Sequence, residues 1–217
     1  MAVDGSKTNL MIVCGEPSGD ELGARLVDEI RKIESEAMFF GATGAKMRAA
    51  GVETIVQSDD WPITGVAAVM RSIPAFYYRL RFLEAVADKR KPSAVILIDF
   101  PEFNLKLAKR LKKQGHTIIY YVSPQLWAWR KYRVRSIAKY VDLLLSILPF
   151  EKEWYSKQGV ENVVYVGNPI AENVRPAMSR AEFCIKHGLD NRKPIIALLP
   201  GSRGKEIRYH LPLMLKA

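Results

Sequence analysis

Ala94-Val-Ile-Leu-Ile-Asp99-Phe-Pro-Glu-Phe-Asn104 is the stretch on which the reading of the fold rests. Its apolar run, rich in β-branched residues, wants burial on both faces, as a central strand of a parallel sheet does. Pro101 has no N–H to give to a ladder and disfavours the helical region at Phe100, so the strand is expected to stop at about Asp99. In an open parallel α/β sheet, ligands bind outside the carboxyl ends of the strands, which is where this reading puts Asp99. An aspartate in an arbitrary loop is a turn former or a cap. Directly after a fully apolar strand, it stands at the mouth of a cleft.

Toward the N-terminus, Asn9-Leu-Met-Ile-Val-Cys14 reads as another buried strand. The glycine-bearing turn Gly15-Glu-Pro-Ser-Gly-Asp20 follows, and Ser18 or Asp20 can cap the helix beyond it. A helix N-terminus offers free N–H groups to an anion. The glycines at 15, 19 and 23 do not form the GxGxxG of a dinucleotide fold, because Pro17 stands where the second glycine is needed. NAD is therefore not expected. Short strands are predicted at 38–44 and 53–57, and the 61–91 segment mixes Phe76, Tyr77, Tyr78 and Phe82 with Arg71, Arg79 and Arg81. That segment reads either as an amphipathic core helix or as a surface for lipid chains, since basic residues among aromatics suit a bilayer interface.

Toward the C-terminus, a helix from Leu105 to Gln114 leads to the strand 117–122, then to the tryptophan-bearing loop Ser123-Pro-Gln-Leu-Trp-Ala-Trp-Arg130. Strands at 143–148 and 163–166 alternate with helices, which argues an α/β fold with a doubly wound parallel sheet. Polar residues and Pro176 mark a linker, placed at 173–191, after which 192–199 begins a new strand and Pro200-Gly-Ser-Arg-Gly-Lys-Glu206 turns into a last helix.

The chain has 217 residues and a net charge of +10. That length holds one large domain, or one domain and the start of another. The charge implies an anionic partner: nucleic acid, an acidic membrane surface or a phosphorylated substrate. Cys14 and Cys184 lie far apart in no metal-ligand spacing, which fits a reducing cytosol, and none of His116, His187 and His210 belongs to an HExxH pair. No metal is expected. The N-terminus lacks the apolar core of a signal peptide and no stretch is long enough to span a bilayer, so any membrane contact is expected to be peripheral. Gly201 to Glu206 echoes a P-loop, but two residues separate its glycines and no Ser or Thr follows Lys205, which argues against an ATPase.

Taken together, these residues resemble lipid-A-disaccharide synthase, a family of inverting glycosyltransferases with two Rossmann-like domains facing across a cleft. The matching motifs, in order and spacing, are Gly15-Glu-Pro-Ser-Gly-Asp20, Ile98-Asp-Phe-Pro-Glu-Phe-Asn104, Tyr121-Val-Ser-Pro-Gln-Leu-Trp-Ala-Trp-Arg130, Leu148-Pro-Phe-Glu151 and Leu198-Leu-Pro-Gly-Ser-Arg203. The resemblance implies transfer of a diacylglucosamine from UDP-2,3-diacylglucosamine to the 6-hydroxyl of 2,3-diacylglucosamine 1-phosphate (lipid X), without a cofactor. It implies a cytoplasmic enzyme bound peripherally to the inner membrane, and a homodimer when full length. Asp99 then matches the general base. Glu16, Ser18, Gly19, Asp20, Asn104 and Trp127 match substrate-binding positions, and Gly201, Ser202 and Arg203 the loop that meets the leaving UDP. Simpler roles compete: capping for Ser18, Asp20 and Asn104, a packing plug beneath the cleft for Trp127 and Trp129, and a solvent-facing loop arginine for Arg203.

On this reading residues 1–172 form the acceptor-side domain, 173–191 the linker and 192–217 the opening of the nucleotide-sugar domain. Family members continue well beyond, so the chain is expected to be a truncated product or a piece of a longer protein, with a strand at 195–199 that has no partner and packs poorly. Two other classes stay open. A basic nucleic-acid-binding module would use the charge and the segment from Trp127 to Lys139, although no RRM, KH or zinc-finger signature is present and no nucleic-acid partner is expected. A UDP-sugar 2-epimerase would share the architecture without calling for the apolar 61–83 segment.

Overall fold

The apolar run at 94–98 is a strand buried along its whole length, and the chain winds outward from it in both directions. In chain order the elements are β1 (Asn9–Val13), α1 (Pro17–Ile33), β2 (Met38–Thr43), α2 (Ala45–Ala49), β3 (Glu53–Gln57), α3 (Val66–Arg90), β4 (Ala94–Ile98), α4 (Pro101–Lys113), β5 (Ile118–Tyr121), α5 (Val134–Tyr140), β6 (Leu143–Ser146), α6 (Pro149–Ser156), β7 (Val163–Tyr165), α7 (Arg180–His187) and α8 (Gly204–Met214). This computed structural model describes residues 8–58, 66–169, 171, 175–201 and 204–217, the side chains of 66–72 excepted. The chain divides into two units, Met1–Ala171 and Glu172–Ala217.

The first unit holds a seven-stranded sheet in the order β3-β2-β1-β4-β5-β6-β7, parallel throughout. Side chains alternate across it. Leu10, Ile12 and Cys14 join Ile96, Ile98, Val27 and Met47 on the face covered by α1 and α2. Met11, Val13, Val95 and Leu97 join Leu83, Phe103, Leu107 and Ile137 on the face covered by α3, α4 and α5. Two covered faces account for the unbroken apolar run in β4. The chain reverses its direction of winding between β1 and β4, and the carboxyl ends of those two strands bound the crevice where such sheets bind ligands.

Close approach of α1 to the sheet rests on its glycines. A Cβ on Gly19 would lie 3.3 Å from the Cys14 Cβ and 3.5 Å from the Ile98 Cγ2, so Gly19 serves packing at this point. α1 begins at Pro17, whose missing N–H costs nothing in a first turn, and Glu16 precedes it without a side-chain cap. Neither Ser18 nor Asp20 caps its own helix. Asp20 instead accepts hydrogen bonds from the backbone N–H groups of Gly44 (2.8 Å), Lys46 (2.7 Å) and Met47 (3.1 Å), and so caps α2 across the sheet edge.

In the second unit the expected linker contains α7, which opens with a capping box: Ser179 Oγ accepts from the Glu182 N–H and Glu182 accepts from the Ser179 N–H. The Ser-x-x-Glu pattern at 179–182 is the sequence signature of that helix start. The expected strand at 192–199 is absent. Those residues form no ladder and lie exposed, Ile196 and Leu199 at 83% each. A parallel strand needs neighbours for its backbone groups, and among the described residues this unit has no other strand.

Replacing Asp20 with Ala would leave three N–H groups without their acceptor in a buried position. A loss of about 2–4 kcal/mol is expected, measured as a lowered urea midpoint with an unchanged slope.

Candidate functional site

Two carboxylates meet at the crevice, one after each central strand. Glu16 follows β1 and Asp99 follows β4. Asp99 and Phe100 are both left-handed, at φ 45° and 50°. Pro101 had been expected to keep Phe100 out of the right-handed helical region, and it does so by way of this corner. Aspartate tolerates such a conformation and phenylalanine resists it. The Phe100 ring sits over Gly15, where any Cβ would collide with it. From there aromatic contacts run outward, Phe100 to Phe103 at 6.0 Å and Phe103 to Phe76 at 5.1 Å.

Burial pushes the Asp99 carboxyl above its usual value near 3.8, the negative charge of Glu16 adds to the rise, and a hydrogen bond from the Phe100 backbone partly offsets it. Asp99 is thus held as a stronger base than a free aspartate. Its backbone is fully engaged: the N–H donates to the Tyr121 carbonyl at 2.9 Å, and its carbonyl accepts from the Tyr120 hydroxyl at 2.7 Å and from Asn104 Nδ2 at 2.8 Å. Asn104 neither caps α4, where Phe100 is the N-cap, nor reaches the crevice. It is fully buried, its second Nδ2 hydrogen goes to the Ile98 carbonyl at 3.1 Å, and its Oδ1 has no partner among the described residues. In this position its amide braces the backbone behind Asp99.

The loop 123–130 lies after β5, the next strand along. A buried carboxylate, Glu151, ties it down by accepting from Ser123 Oγ at 2.6 Å and Trp127 Nε1 at 3.2 Å. Tyr155 adds a hydrogen bond to the Pro124 carbonyl, and its burial raises its pKa well above the phenol range. Trp127 is 40% exposed and packs edge-on against Phe150 at 5.1 Å, so it is no buried plug. Trp129 is exposed with the Arg130 guanidinium 4.4 Å over its ring. Arg130 and Arg133 both pair with Glu102 at the start of α4. Burial alone would raise the Glu102 carboxyl, but these guanidinium groups outweigh it and hold the pKa below the ordinary 4.5. Left-handed backbone recurs at Val122, at φ 66°, and Arg130, at φ 55°. For β-branched Val122 that is strain, and it sits beside the crevice.

Of the residues expected at the site, Glu16, Ser18 and Asp99 flank the crevice, and Trp127 stands on the loop after β5. Asp20 and Gly19 serve the packing of α1 and α2, as described above. Gly201 belongs to the second unit, where at φ 123° its missing side chain leaves room for Glu206. Ser202 and Arg203 lie outside the described residues, as does Trp61 at the start of the aromatic-basic segment. Tyr120 and Glu151 were not singled out as site residues from the sequence. A tyrosine inside a strand reads as core, and a Glu three residues after Leu148 reads as helix capping, which Glu151 also performs at 3.3 Å to the Leu148 N–H. Among the described residues no group of three His, Cys, Asp or Glu side chains could hold a metal ion, and no helix is long and apolar enough to cross a membrane.

The chain was compared with known proteins. A lipid-A-disaccharide synthase of Acidobacterium capsulatum is 45% identical over 98% of this chain, covering 53% of its own length. That of Coxiella burnetii is 41% identical over 98% of this chain and 56% of its own. The chain therefore spans about half the length of the curated relatives it matches. Among solved structures, a UDP-N-acetylglucosamine 2-epimerase superposes with a TM-score of 0.56 at 13% identity, over 80% of this chain and 53% of that one. A Neisseria meningitidis 2-epimerase bound to UDP-GlcNAc gives 0.52 at 10% identity, over 76% and 47%. At such identities the likeness is one of fold. The sequence profile described as lipid-A-disaccharide synthetase matches residues 10–217, and the chain belongs to that family.

Proposed function

We propose that this chain supplies the acceptor-side half of an inverting glycosyltransferase that joins a diacylglucosamine from its UDP derivative to the 6-hydroxyl of a diacylglucosamine 1-phosphate. The supporting observation is the crevice carboxylate: Asp99, half-buried beside Glu16 with its carboxyl raised, at the point where the sheet reverses its winding. In a displacement at the anomeric carbon, Asp99 takes the proton of the acceptor hydroxyl as the new C–O bond forms and the bond to the UDP oxygen breaks. Burial, with the charge of Glu16 added to it, keeps that carboxyl basic, and Trp127 offers a flat apolar face to sugar or acyl chain. The leaving diphosphate needs backbone donors and a cation, a role we assign to the loop of Gly201, Ser202 and Arg203 on its motif resemblance alone. A homodimer of the complete protein is part of the same proposal.

The acyl chains call for an apolar approach, and α3 and α4 offer one. Tyr77, Tyr78 and Phe82 are exposed on α3 at 50%, 68% and 39%. Tyr77 and Leu80 line a groove of about 430 Å³ with Lys106, Lys109, Lys113 and the Arg110–Glu84 ion pair. Lysines next to aromatics match an anionic lipid surface, and we assign this face to peripheral contact with the cytoplasmic leaflet of the inner membrane.

In a protein that carries this chain with the second half found in its relatives, Asp99→Asn is expected to lower turnover by roughly 10²-fold or more. Near-normal turnover would overturn the base assignment. Because folding raises the Asp99 carboxyl, the charge costs the fold nothing below the ordinary value near 3.8 and more as pH climbs through the raised value. Asp99→Asn should accordingly match the parent in acid and exceed it in stability at neutral pH, read from urea midpoints at the two conditions. For the membrane face, the chain is expected to sediment with phosphatidylglycerol vesicles at low salt and less at high salt, and a Lys106→Glu, Lys109→Glu double variant should stay in solution. Absence of the parent chain from the vesicle pellet at low salt would remove the lipid reading.

A further inference from the structure

Two side chains with no part in the proton transfer converge on the same atom. The carbonyl oxygen of Asp99 accepts from the Tyr120 hydroxyl at 2.7 Å and from Asn104 Nδ2 at 2.8 Å. One donor comes from the neighbouring strand β5, the other from the second turn of α4. Both residues are fully buried. Asn104 spends both amide hydrogens on the carbonyls of Ile98 and Asp99 and leaves its Oδ1 without a partner among the described residues. An orphaned acceptor in the core is costly, and its retention beside a left-handed pair points to what the amide nitrogen secures. A carbonyl clamped from two sides cannot rotate, and with the N–H of Asp99 held by the Tyr121 carbonyl the peptide planes on both sides of its Cα are fixed.

We propose that Tyr120 and Asn104 are positioning residues, which lock the left-handed corner at Asp99 and Phe100 and thereby hold the Asp99 carboxylate in the crevice beside Glu16. Without the clamp the corner relaxes to an extended exit, which Pro101 permits and which relieves the φ of 50° at Phe100. The carboxylate then swings toward water. The catalytic meaning of the clamp rests on the general-base reading of Asp99, whereas its geometric content is measured apart from it.

The readout is the titration of the Asp99 carboxyl by carbon-detected NMR in the 217-residue chain. The titratable groups around it are Glu16 from the end of β1, which is charged, and Asp99's own contact Tyr120, whose neutral hydroxyl is in turn surrounded by Tyr155, Arg133 and Glu102. Tyr120→Phe removes only the hydroxyl. Asn104→Leu keeps the shape and removes both donors. In each variant the Asp99 midpoint is expected to move down toward the ordinary 3.8 as the carboxyl gains water and leaves Glu16. Tyr155→Phe is the control: it removes a buried hydroxyl bonded to Pro124, so it should lower the melting temperature and leave the Asp99 midpoint in place. An Asp99 midpoint unchanged in both folded variants would overturn the proposal, and so would a control that moves it equally. Asn104→Leu alone carries the test should Tyr120→Phe fail to fold. Failure of the base assignment would be seen in Asp99→Asn turnover, a separate measurement.

Discussion

A strand buried on both faces has to become a helix within two residues at Asp99 and Phe100, and that corner governs the rest of the structure. Burial of β4 fixes the depth at which the strand ends. Pro101 disfavours a right-handed helical exit at Phe100, and both corner residues are held left-handed instead. Gly15 has to be bare to receive the Phe100 ring, and Asn104 and Tyr120 have to donate to the carbonyl behind it. Each of these choices is local and costly. Together they leave one carboxylate at the point where the sheet reverses its winding, in surroundings that disfavour its charge.

The same economy appears one strand further on. Glu151 sits in the core, and its carboxylate is satisfied by the Ser123 hydroxyl and Trp127 indole of the loop it organises and by the Leu148 N–H at the start of its own helix. A buried carboxylate with several donors makes a rigid anchor for an otherwise irregular segment. Strain at Val122 and Arg130 is then distributed along a loop that is tied at both ends, through Ser123 and through the pairs of Arg130 and Arg133 with Glu102.

Local pattern made the sheet legible. An unbroken apolar run ending in an acid and a proline is enough to infer a central parallel strand and the place of Asp99, because burial, ladder chemistry and the proline all act within a few residues. What escaped were pairings across the fold. Asp20 reads as a cap for its own helix, yet its partners are 24 to 27 residues away on α2, and nothing in the neighbouring sequence announces them. Asn104 stands where a helix cap would, but the helix starts three residues earlier at Pro101 and the amide turns inward. Tyr120 looks like any strand aromatic until the strand beside it is known. The segment 192–199 is the opposite case: its composition asks for a strand, and composition cannot supply the neighbour a strand requires.

That segment has a consequence for handling the chain. Ile195, Ile196, Leu198 and Leu199 are exposed in a run with high strand preference, a template onto which another copy could add its own edge. Pro194 and Pro200 bracket the run, and Arg192 and Lys193 precede it. Prolines interrupt a growing ladder and like charges repel a second copy in register, so the flanks of this exposed run have the composition that disfavours edge-to-edge pairing between copies.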